Sequence, residues 1–207
     1  VFNMNTKTAI KQLNELTKFG KPMRLAAEDW TSDFQILIST ILSARTRDEI
    51  TIPVAEALFR KYKNPYKLAK AKISDVRKIV KPVNFHKTKT KNIIKCSHYL
   101  IKKFDGKAPH DIEKLLLLPG VGRKTANVFL AEHGRHALPV DTHVFYISRK
   151  IGWAKSKNPH KVEEELKKLF PKKYWNRINS ALVRFGKTHT RRRQKDELIE
   201  KIKKGSK

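Results

Sequence analysis

The apolar residues of this chain recur at helical spacing along almost its whole length. In the segment 6–19, for example, Ile10, Leu13, Leu16 and Phe19 lie on one stripe of a helix. No segment shows the strict alternation of apolar and polar residues that marks a half-buried β-strand. The sequence therefore predicts an all-α fold of about eleven short helices, with no long linker between them.

The net charge indicates a polyanionic partner. Lys and Arg number 47 against 19 Asp and Glu, a formal charge of +28, whereas a small soluble domain usually carries roughly 2–8 charges. Disorder is excluded, because hydrophobic residues make up 39% of the chain, with three Trp and ten Phe. We therefore expect a globular protein with a basic surface that binds a polyanion.

Cysteine content and hydropathy exclude several classes of protein. Cys96 is the single cysteine, so these residues form no internal disulfide and supply neither a Cys-rich zinc site nor a four-cysteine iron–sulfur cluster. No stretch approaches the roughly 20 apolar residues of a membrane helix, and no signal peptide opens the sequence. We expect a protein that works inside the cell, without a membrane partner.

The segment Leu118 to Ala126, LPGVGRKTA, has the pattern of a tight turn between two helices. Gly120 and Gly122 permit positive φ and the close approach of a ligand to the backbone. The N–H groups at the start of the second helix lie at its positive dipole end and form an anion site. A plain helical hairpin with glycine caps explains the turn alone equally well, but the basic Arg123 favours binding of a DNA phosphate.

This segment, followed by Pro139-Val140-Asp141-Thr142-His143, resembles the helix-hairpin-helix–Gly/Pro–Asp signature of base-excision DNA glycosylases. The sequence is similar to the endonuclease III family in particular. The resemblance extends over roughly residues 28–190, through Ile41-Leu42-Ser43-Ala44, Thr46-Arg47-Asp48, 89–94 and 162–169. It implies a two-lobed helical fold: a six-helix barrel over 25–136, with the hairpin at about 113–133, and a second lobe from 1–24 and 137–207.

Lys124 and Asp141, 17 residues apart, suit the chemistry of this family. A partly buried lysine at the positive end of a helix is disfavoured in its ammonium form, and a neutral amine is a nucleophile. The resemblance implies that Lys124 attacks C1′ of the deoxyribose, expels the base and forms a Schiff base, after which β-elimination cuts the strand. Asp141 matches the catalytic aspartate, which stabilises positive charge on the sugar and moves protons, and it also fits a helix N-cap.

A base inside a duplex must be flipped out before it is attacked, and side chains fill the gap that it leaves. By their position in the family, these side chains are Arg45 and Phe85. Bacterial members of the family often have Gln at the first position, so Arg45 leaves the preference for the opposite base open. Phe85 fits a wedge between bases and an ordinary core residue equally well.

Basic residues near these positions are predicted to contact phosphates. With the hairpin and the two inserted side chains, the predicted DNA contacts are Gly120, Val121, Gly122, Arg123, Arg45, Phe85, Lys87, Lys89 and Lys91. Asp48 lines the base pocket or caps the helix that begins near Glu49, with capping slightly favoured. His143 packs against its neighbours, caps a helix or lines the pocket.

At its C-terminal end the sequence departs from the family pattern. Typical endonuclease III members hold an iron–sulfur cluster there through four cysteines, whereas residues 185–207 contain none. We expect no cluster and no other cofactor, and the basic segment 191–204 is a candidate to replace the DNA contacts of the cluster loop. Backbone carbonyls that bind a monovalent cation in the family correspond to Leu116, Leu118 and Val121, and no metal site is expected from side chains.

The resemblance implies a DNA N-glycosylase with AP lyase activity on damaged bases in double-stranded DNA. Oxidised pyrimidines are the family default, while uracil, hypoxanthine and 8-oxoguanine stay open. One alternative is a monofunctional mismatch, uracil or adenine glycosylase, although such relatives usually lack the hairpin lysine. A second is a non-enzymatic hairpin module that clamps DNA. We expect a monomer that is cytoplasmic and associated with the nucleoid.

Overall fold

Twelve α-helices and a short 3₁₀ turn form the secondary structure of residues 4–205, which are those that this computed structural model describes; no strand occurs among them. The all-α fold predicted from the helical periodicity is therefore confirmed. The 3₁₀ turn is Lys172–Tyr174. In chain order, α1 to α12 are Thr6–Phe19, Asp33–Ser43, Asp48–Lys61, Pro65–Ala69, Ile73–Val80, His86–Phe104, Ile112–Leu116, Arg123–Glu132, Thr142–Ile151, Pro159–Leu169, Trp175–Thr188 and Arg192–Lys204.

The chain divides into two compact units. One, called here the hairpin unit, comprises residues 24–133, where the sequence predicts a lobe of 25–136. The other, the terminal unit, comprises the described residues 4–23 and 134–205. The outermost residues of the predicted second lobe, 1–3 and 206–207, lie outside the described residues. Each unit has its own buried core.

Helix α2 lies at the centre of the hairpin unit. It packs against α3, α6 and α8, and α8 also packs against α7. Five of its apolar side chains are at most 5% exposed, at Phe34, Leu37, Ile38, Ile41 and Leu42, and the sixth, Ile36, is half-buried. A helix that is apolar nearly all round needs neighbours on every side, which is why α2 takes this place. The contact between α2 and α8 fixes the hairpin to the core of the unit.

The terminal unit is held together by α1, α9, α11 and α12. Helix α1 packs against α11 and α12, and α9 packs against the same two helices. The indole N–H of the buried Trp153 donates a hydrogen bond to the Gln12 side-chain oxygen at 2.7 Å. Ile199 and Ile202 of α12 are 0% and 5% exposed. The basic C-terminal segment, which the sequence analysis treats as a replacement for DNA contacts, is therefore a packed helix of this core.

One more helix lies within residues 4–205 than the eleven or so that the helical periodicity predicts. Helix α4, Pro65–Ala69, has five residues, too few to show a period; Asn64 starts it by accepting a hydrogen bond from the Lys67 N–H at 2.9 Å. No helix within residues 4–205 combines the length and the apolar character needed to cross a membrane.

Candidate active site

The hairpin consists of α7, α8 and the turn between them. Asp111 starts α7 by accepting a hydrogen bond from the Lys114 N–H at 2.9 Å. The Val121 N–H donates to the Leu118 carbonyl at 3.0 Å, which closes the turn. Leu118 and Val121 are 2% and 7% exposed, so the apolar side chains of the turn anchor it in the hairpin unit. The two glycines are left at the surface.

The two glycines of the turn have different reasons to be glycine. Gly120 has φ of +86°, and a Cβ there would lie 2.9 Å from the Cβ of Asn92, so any other residue is disfavoured. Gly122 has φ of −99°, which all residues adopt, and a Cβ there would meet no atom within 4 Å. Gly122 is the N-cap of α8 and supplies no capping side chain. That arrangement leaves the helix N-terminus without a carboxylate or hydroxyl that competes with an anion.

Lys124 is the second residue of α8 and is exposed. The next two residues, Thr125 and Ala126, are 6% and 0% exposed and fix the first turn of α8 in the core. The expected partial burial of Lys124 is wrong, because the side chain points away from this buried face of the helix. The hairpin thus presents an amine on a rigid backbone to any ligand at the N-terminus of α8.

Asp141 lies in the terminal unit, where it is the N-cap of α9. Its carboxylate accepts a hydrogen bond from the Val144 N–H at 2.8 Å. The Asn179 side chain donates to the Pro139 carbonyl at 3.1 Å and so fixes the segment that precedes the cap. The N-cap position fits the sequence-based expectation, and the catalytic role of Asp141 stays a prediction.

His143, in the first turn of α9, lies against the backbone of α11. A Cβ at residue 186 would overlap the His143 ring, so Gly186 is needed for this contact. Packing is therefore the role that the structure gives to His143. A role in the base pocket stays a prediction.

Arg45 and Phe85, the side chains predicted to fill the gap in the duplex, lie next to each other. The guanidinium carbon of Arg45 is 5.1 Å from the centroid of the Phe85 ring, a cation–π distance. Both residues have left-handed backbone, with φ of +56° and +58°, which costs about 1–2 kcal/mol per non-glycine residue. Phe85 is 57% exposed, so its interpretation as a core residue is wrong. A strained backbone that holds an exposed aromatic ring is typical of a functional site.

Asn84 connects the two loops that carry this pair. Its side-chain N–H donates to the Arg45 carbonyl at 2.5 Å, and its backbone N–H donates to the Thr46 hydroxyl oxygen at 3.1 Å. The two hydrogen bonds hold Arg45 and Phe85 in one fixed arrangement. No local sequence pattern indicates this role of Asn84, because its partners lie 38 and 39 residues earlier in the chain.

Lys89 supports the same loop from inside the hairpin unit. Its ammonium donates to the carbonyls of Leu42 and Ala44, both at 2.6 Å, and to the hydroxyl of Thr46 at 2.9 Å. The first two acceptors belong to the C-terminal end of α2, where a cation is favoured. Lys89 is 6% exposed, and burial lowers its pKa from 10.5 to about 8.

This geometry corrects the prediction that Lys89 contacts a DNA phosphate. An ammonium group has three N–H donors, and all three have acceptors within the protein. The sequence does carry a signal for this role. Lys89 lies on the buried stripe of α6 that also includes Ile93 and Leu100, so a charged side chain there needs internal partners.

The remaining predicted contacts are dispersed over the hairpin unit. Lys87 and Lys91 are exposed and one helical turn apart on α6, and Arg123 is the partly exposed first residue of α8. Their contacts with phosphate stay predictions.

Asp48 does not cap α3, because the N-cap is Arg47. The Asp48 carboxylate instead accepts a hydrogen bond from the Ala26 N–H at 3.3 Å. The cation site at the carbonyls of residues 116, 118 and 121 also stays a prediction.

Comparisons with known proteins place the chain in a family of DNA repair proteins. Residues 38–172 match the family described as HhH-GPD superfamily base excision DNA repair protein. The chain is 46% identical over 158 residues to endonuclease III of Thermotoga maritima, a match that covers 76% of this chain and 74% of that protein. The solved structure of a trapped endonuclease III–DNA covalent intermediate superimposes with a TM-score of 0.83, 30% identity and coverage of 91% and 89% of the two chains. A non-covalent endonuclease III–DNA complex gives the same TM-score at 29% identity.

Proposed function

Since the chain belongs to the HhH-GPD superfamily and is an endonuclease III-like DNA glycosylase and AP lyase of base excision repair, we propose that Lys124 is its nucleophile and that damaged bases in duplex DNA are its substrates. The observation that carries the proposal is the position of Lys124. It is an exposed amine in the first turn of α8, directly after a glycine turn that leaves the helix N-terminus without a side-chain cap. A phosphate at that helix end places the neighbouring sugar near the amine.

The proposed reaction begins with the neutral amine of Lys124. Its nitrogen attacks C1′, the bond from C1′ to the base breaks, and the departing base takes the electron pair and a proton. The amine nitrogen loses a proton, and the C1′–O4′ bond breaks as O4′ takes its electron pair and a proton, which gives an iminium between Lys124 and C1′. The iminium withdraws electrons from C2′, which loses a proton, and the C3′–O3′ bond then breaks. The strand is thereby cut on the 3′ side of the lesion.

The proposed role of Asp141 is electrostatic and acid–base. A carboxylate stabilises the positive charge that develops on the sugar as the base departs, and it accepts or returns the protons of the amine. The hydrogen bond from the Val144 N–H fixes its orientation at the start of α9. Lys124 and Asp141 belong to different units, so the proposal for Asp141 is supported by the sequence motif that joins them.

The pair Arg45 and Phe85 is proposed to enter the duplex when the base is flipped out. The exposed ring of Phe85 can stack between bases, and the guanidinium of Arg45 can donate hydrogen bonds to the unpaired base. The exposed Lys87 and Lys91 are proposed to bind phosphates beside them. Oxidised pyrimidines are the proposed lesions, on the strength of the family assignment.

We also propose that this protein works without an iron–sulfur cluster. Its single cysteine, Cys96, is 0% exposed on α6, and burial raises the pKa of the thiol to about 12, which disfavours the thiolate that binds metal. In the terminal unit, α12 packs Ile199 and Ile202 into the core. This packing supports a stable terminal unit that does not depend on a cluster.

A panel of duplexes with a single lesion tests the proposed function. The panel contains an oxidised pyrimidine, uracil, hypoxanthine, 8-oxoguanine and an abasic site, and each product is analysed with and without alkali. We expect strand cleavage without alkali on the oxidised pyrimidine and the abasic duplex. Base release that needs alkali to reveal it indicates a monofunctional glycosylase. DNA binding with neither activity contradicts the proposed reaction and indicates a phosphate clamp.

A further inference from the structure

We propose that Asp33, His110 and His133 bind a divalent transition-metal ion of the zinc type. All three belong to the hairpin unit, and each offers one ligand atom within 4.8 Å of the other two. Asp33 is the first residue of α2, His110 shortly precedes α7, and His133 is the C-cap of α8. Two imidazoles and one carboxylate, with water as the fourth ligand, form a donor set that zinc takes in proteins.

The two imidazoles converge on one carboxylate. The Nε2 of His110 is 2.6 Å from one oxygen of Asp33, and the Nε2 of His133 is 2.9 Å from the other. The centroids of the two rings are only 4.3 Å apart. Ligand atoms around a tetrahedral zinc ion lie about 3.3 Å from one another, given bond lengths of about 2.0–2.1 Å. The two contacts with Asp33 therefore need to lengthen by less than about 1 Å, and the two imidazole nitrogens, within 4.8 Å of each other, need to close by at most about 1.5 Å.

The second nitrogen of His133 is bound to the backbone, which fixes the orientation of the ring. Its Nδ1 is 2.7 Å from the carbonyl of Phe129, which only accepts hydrogen bonds, so Nδ1 carries a proton. In the neutral ring Nε2 then carries the lone pair, and this is the atom that faces Asp33 and would bind the metal ion. A ring N–H bound to a backbone carbonyl is also how proteins orient a histidine that ligates a metal.

The site is accessible from solvent. The side chain of Asp33 is 44% exposed and that of His110 is 30% exposed, so an ion can enter from solvent. The side chain of His133 is 14% exposed and fixes the inner wall.

A metal ion at this position would tie together the ends of the hairpin. It would join the N-terminus of α2 to the segment that enters α7 and to the last turn of α8. The proposed base-excision reaction needs no ion there, so the role is structural. Cys96 does not compete for the ion, because it is fully buried on α6.

Zinc titration of the metal-stripped full chain, by calorimetry, tests the proposal. We expect one zinc ion per chain. At a free zinc concentration of about 100 times the dissociation constant, the melting temperature should rise by about 5–10 °C. The variants His133→Gln and Asp33→Asn should each bind zinc at least about tenfold more weakly. His98→Gln removes an exposed histidine of α6 in the same unit and should leave the affinity unchanged.

Two results would overturn the site. One is the absence of saturable zinc binding by the unaltered chain, which would identify the cluster as a proton-linked ion pair. The other is equal affinity in His133→Gln and in the unaltered chain. Should a variant fail to fold, Co²⁺ added to the unaltered chain decides the matter. Visible absorption of tetrahedral Co²⁺ that zinc displaces supports the site, and its absence contradicts it.

Discussion

Two parts of the hairpin unit carry the proposed DNA contacts, and they hold their residues in opposite ways. In the hairpin turn, positive φ falls on Gly120, and Lys124 projects from a regular helix. The loop pair, formed by Arg45 and Phe85, instead places two large side chains in left-handed backbone and supports them through the buried Lys89. The hairpin turn therefore works with relaxed backbone, whereas the loop pair depends on an internal network that offsets its strain.

The largest expected effect on stability comes from removing the support of the loop pair. Lys89→Met leaves the carbonyls of Leu42 and Ala44 without a donor inside the hairpin unit, which should lower the free energy of unfolding by about 2–4 kcal/mol. Chemical denaturation measures the change. Lys87→Met, on the exposed face of the same helix, is the control and should change stability by less than about 0.5 kcal/mol. Equal effects of the two variants would contradict the role given to Lys89.

The same lysine predicts a pH dependence. The pKa of Lys89 is about 8 in the folded protein and near its ordinary value of 10.5 when unfolded. Between these values the unfolded chain binds more protons, so the free energy of unfolding rises with pH. The gain in unfolding free energy is complete above pH 10.5 and is lost as pH falls to 8. It amounts to about 3 kcal/mol, at about 1.4 kcal/mol per pKa unit. Between pH 8 and 10 the unaltered chain should gain about 2 kcal/mol of this stability relative to Lys89→Met in denaturation curves, and parallel curves would contradict it.

Alanine substitutions at the two glycines of the hairpin turn should have a smaller effect on stability, and one glycine serves as the control for the other. Gly120→Ala forces positive φ on alanine and a close contact with Asn92, so unfolding free energy should fall by about 2 kcal/mol. Gly122→Ala, at φ of −99° and in open space, should change stability by less than about 0.5 kcal/mol. Its methyl group lies where the phosphate is proposed to bind, so affinity for abasic duplex should fall nonetheless. Unchanged affinity in Gly122→Ala would show that the phosphate binds elsewhere.

The smallest expected effect concerns the strain at Phe85. Phe85→Gly and Phe85→Ala both remove the ring, but only glycine relieves the left-handed backbone. The glycine variant should therefore be more stable than the alanine variant by about 1 kcal/mol, while both lose base excision to the same extent. Melting curves and excision rates are the two measurements. Equal stability of the two variants would mean that the backbone at this position is relaxed.

The sequence predicted those features that depend on local pattern. The helical stripe of 6–19, the glycine turn and the helix start at Asp141 each depend on residues close together in the chain. Each also appears in the structure near its expected bounds. The exposure of Lys124 was not predicted, because it depends on which face of α8 packs against α2.

The features that the sequence did not predict depend on partners far apart in the chain. The acceptors of Lys89 lie 43 to 47 residues before it, and Asp33 lies 77 and 100 residues from its two histidines. No helical or turn pattern connects such positions. Even so, a lysine on the buried stripe of α6 conflicts with its surroundings, and this conflict marks Lys89 for an internal role.

The central claim is that Lys124 forms the covalent bond to the sugar, and borohydride trapping tests it most directly. Borohydride reduces the Schiff base formed with an abasic duplex, and digestion with mass spectrometry identifies the modified residue. We expect a trapped complex linked at Lys124, its loss in Lys124→Gln, and full trapping in Lys103→Gln, which removes an exposed charge from α6. Undiminished trapping in Lys124→Gln, or a cross-link that maps to another lysine, would contradict the claim.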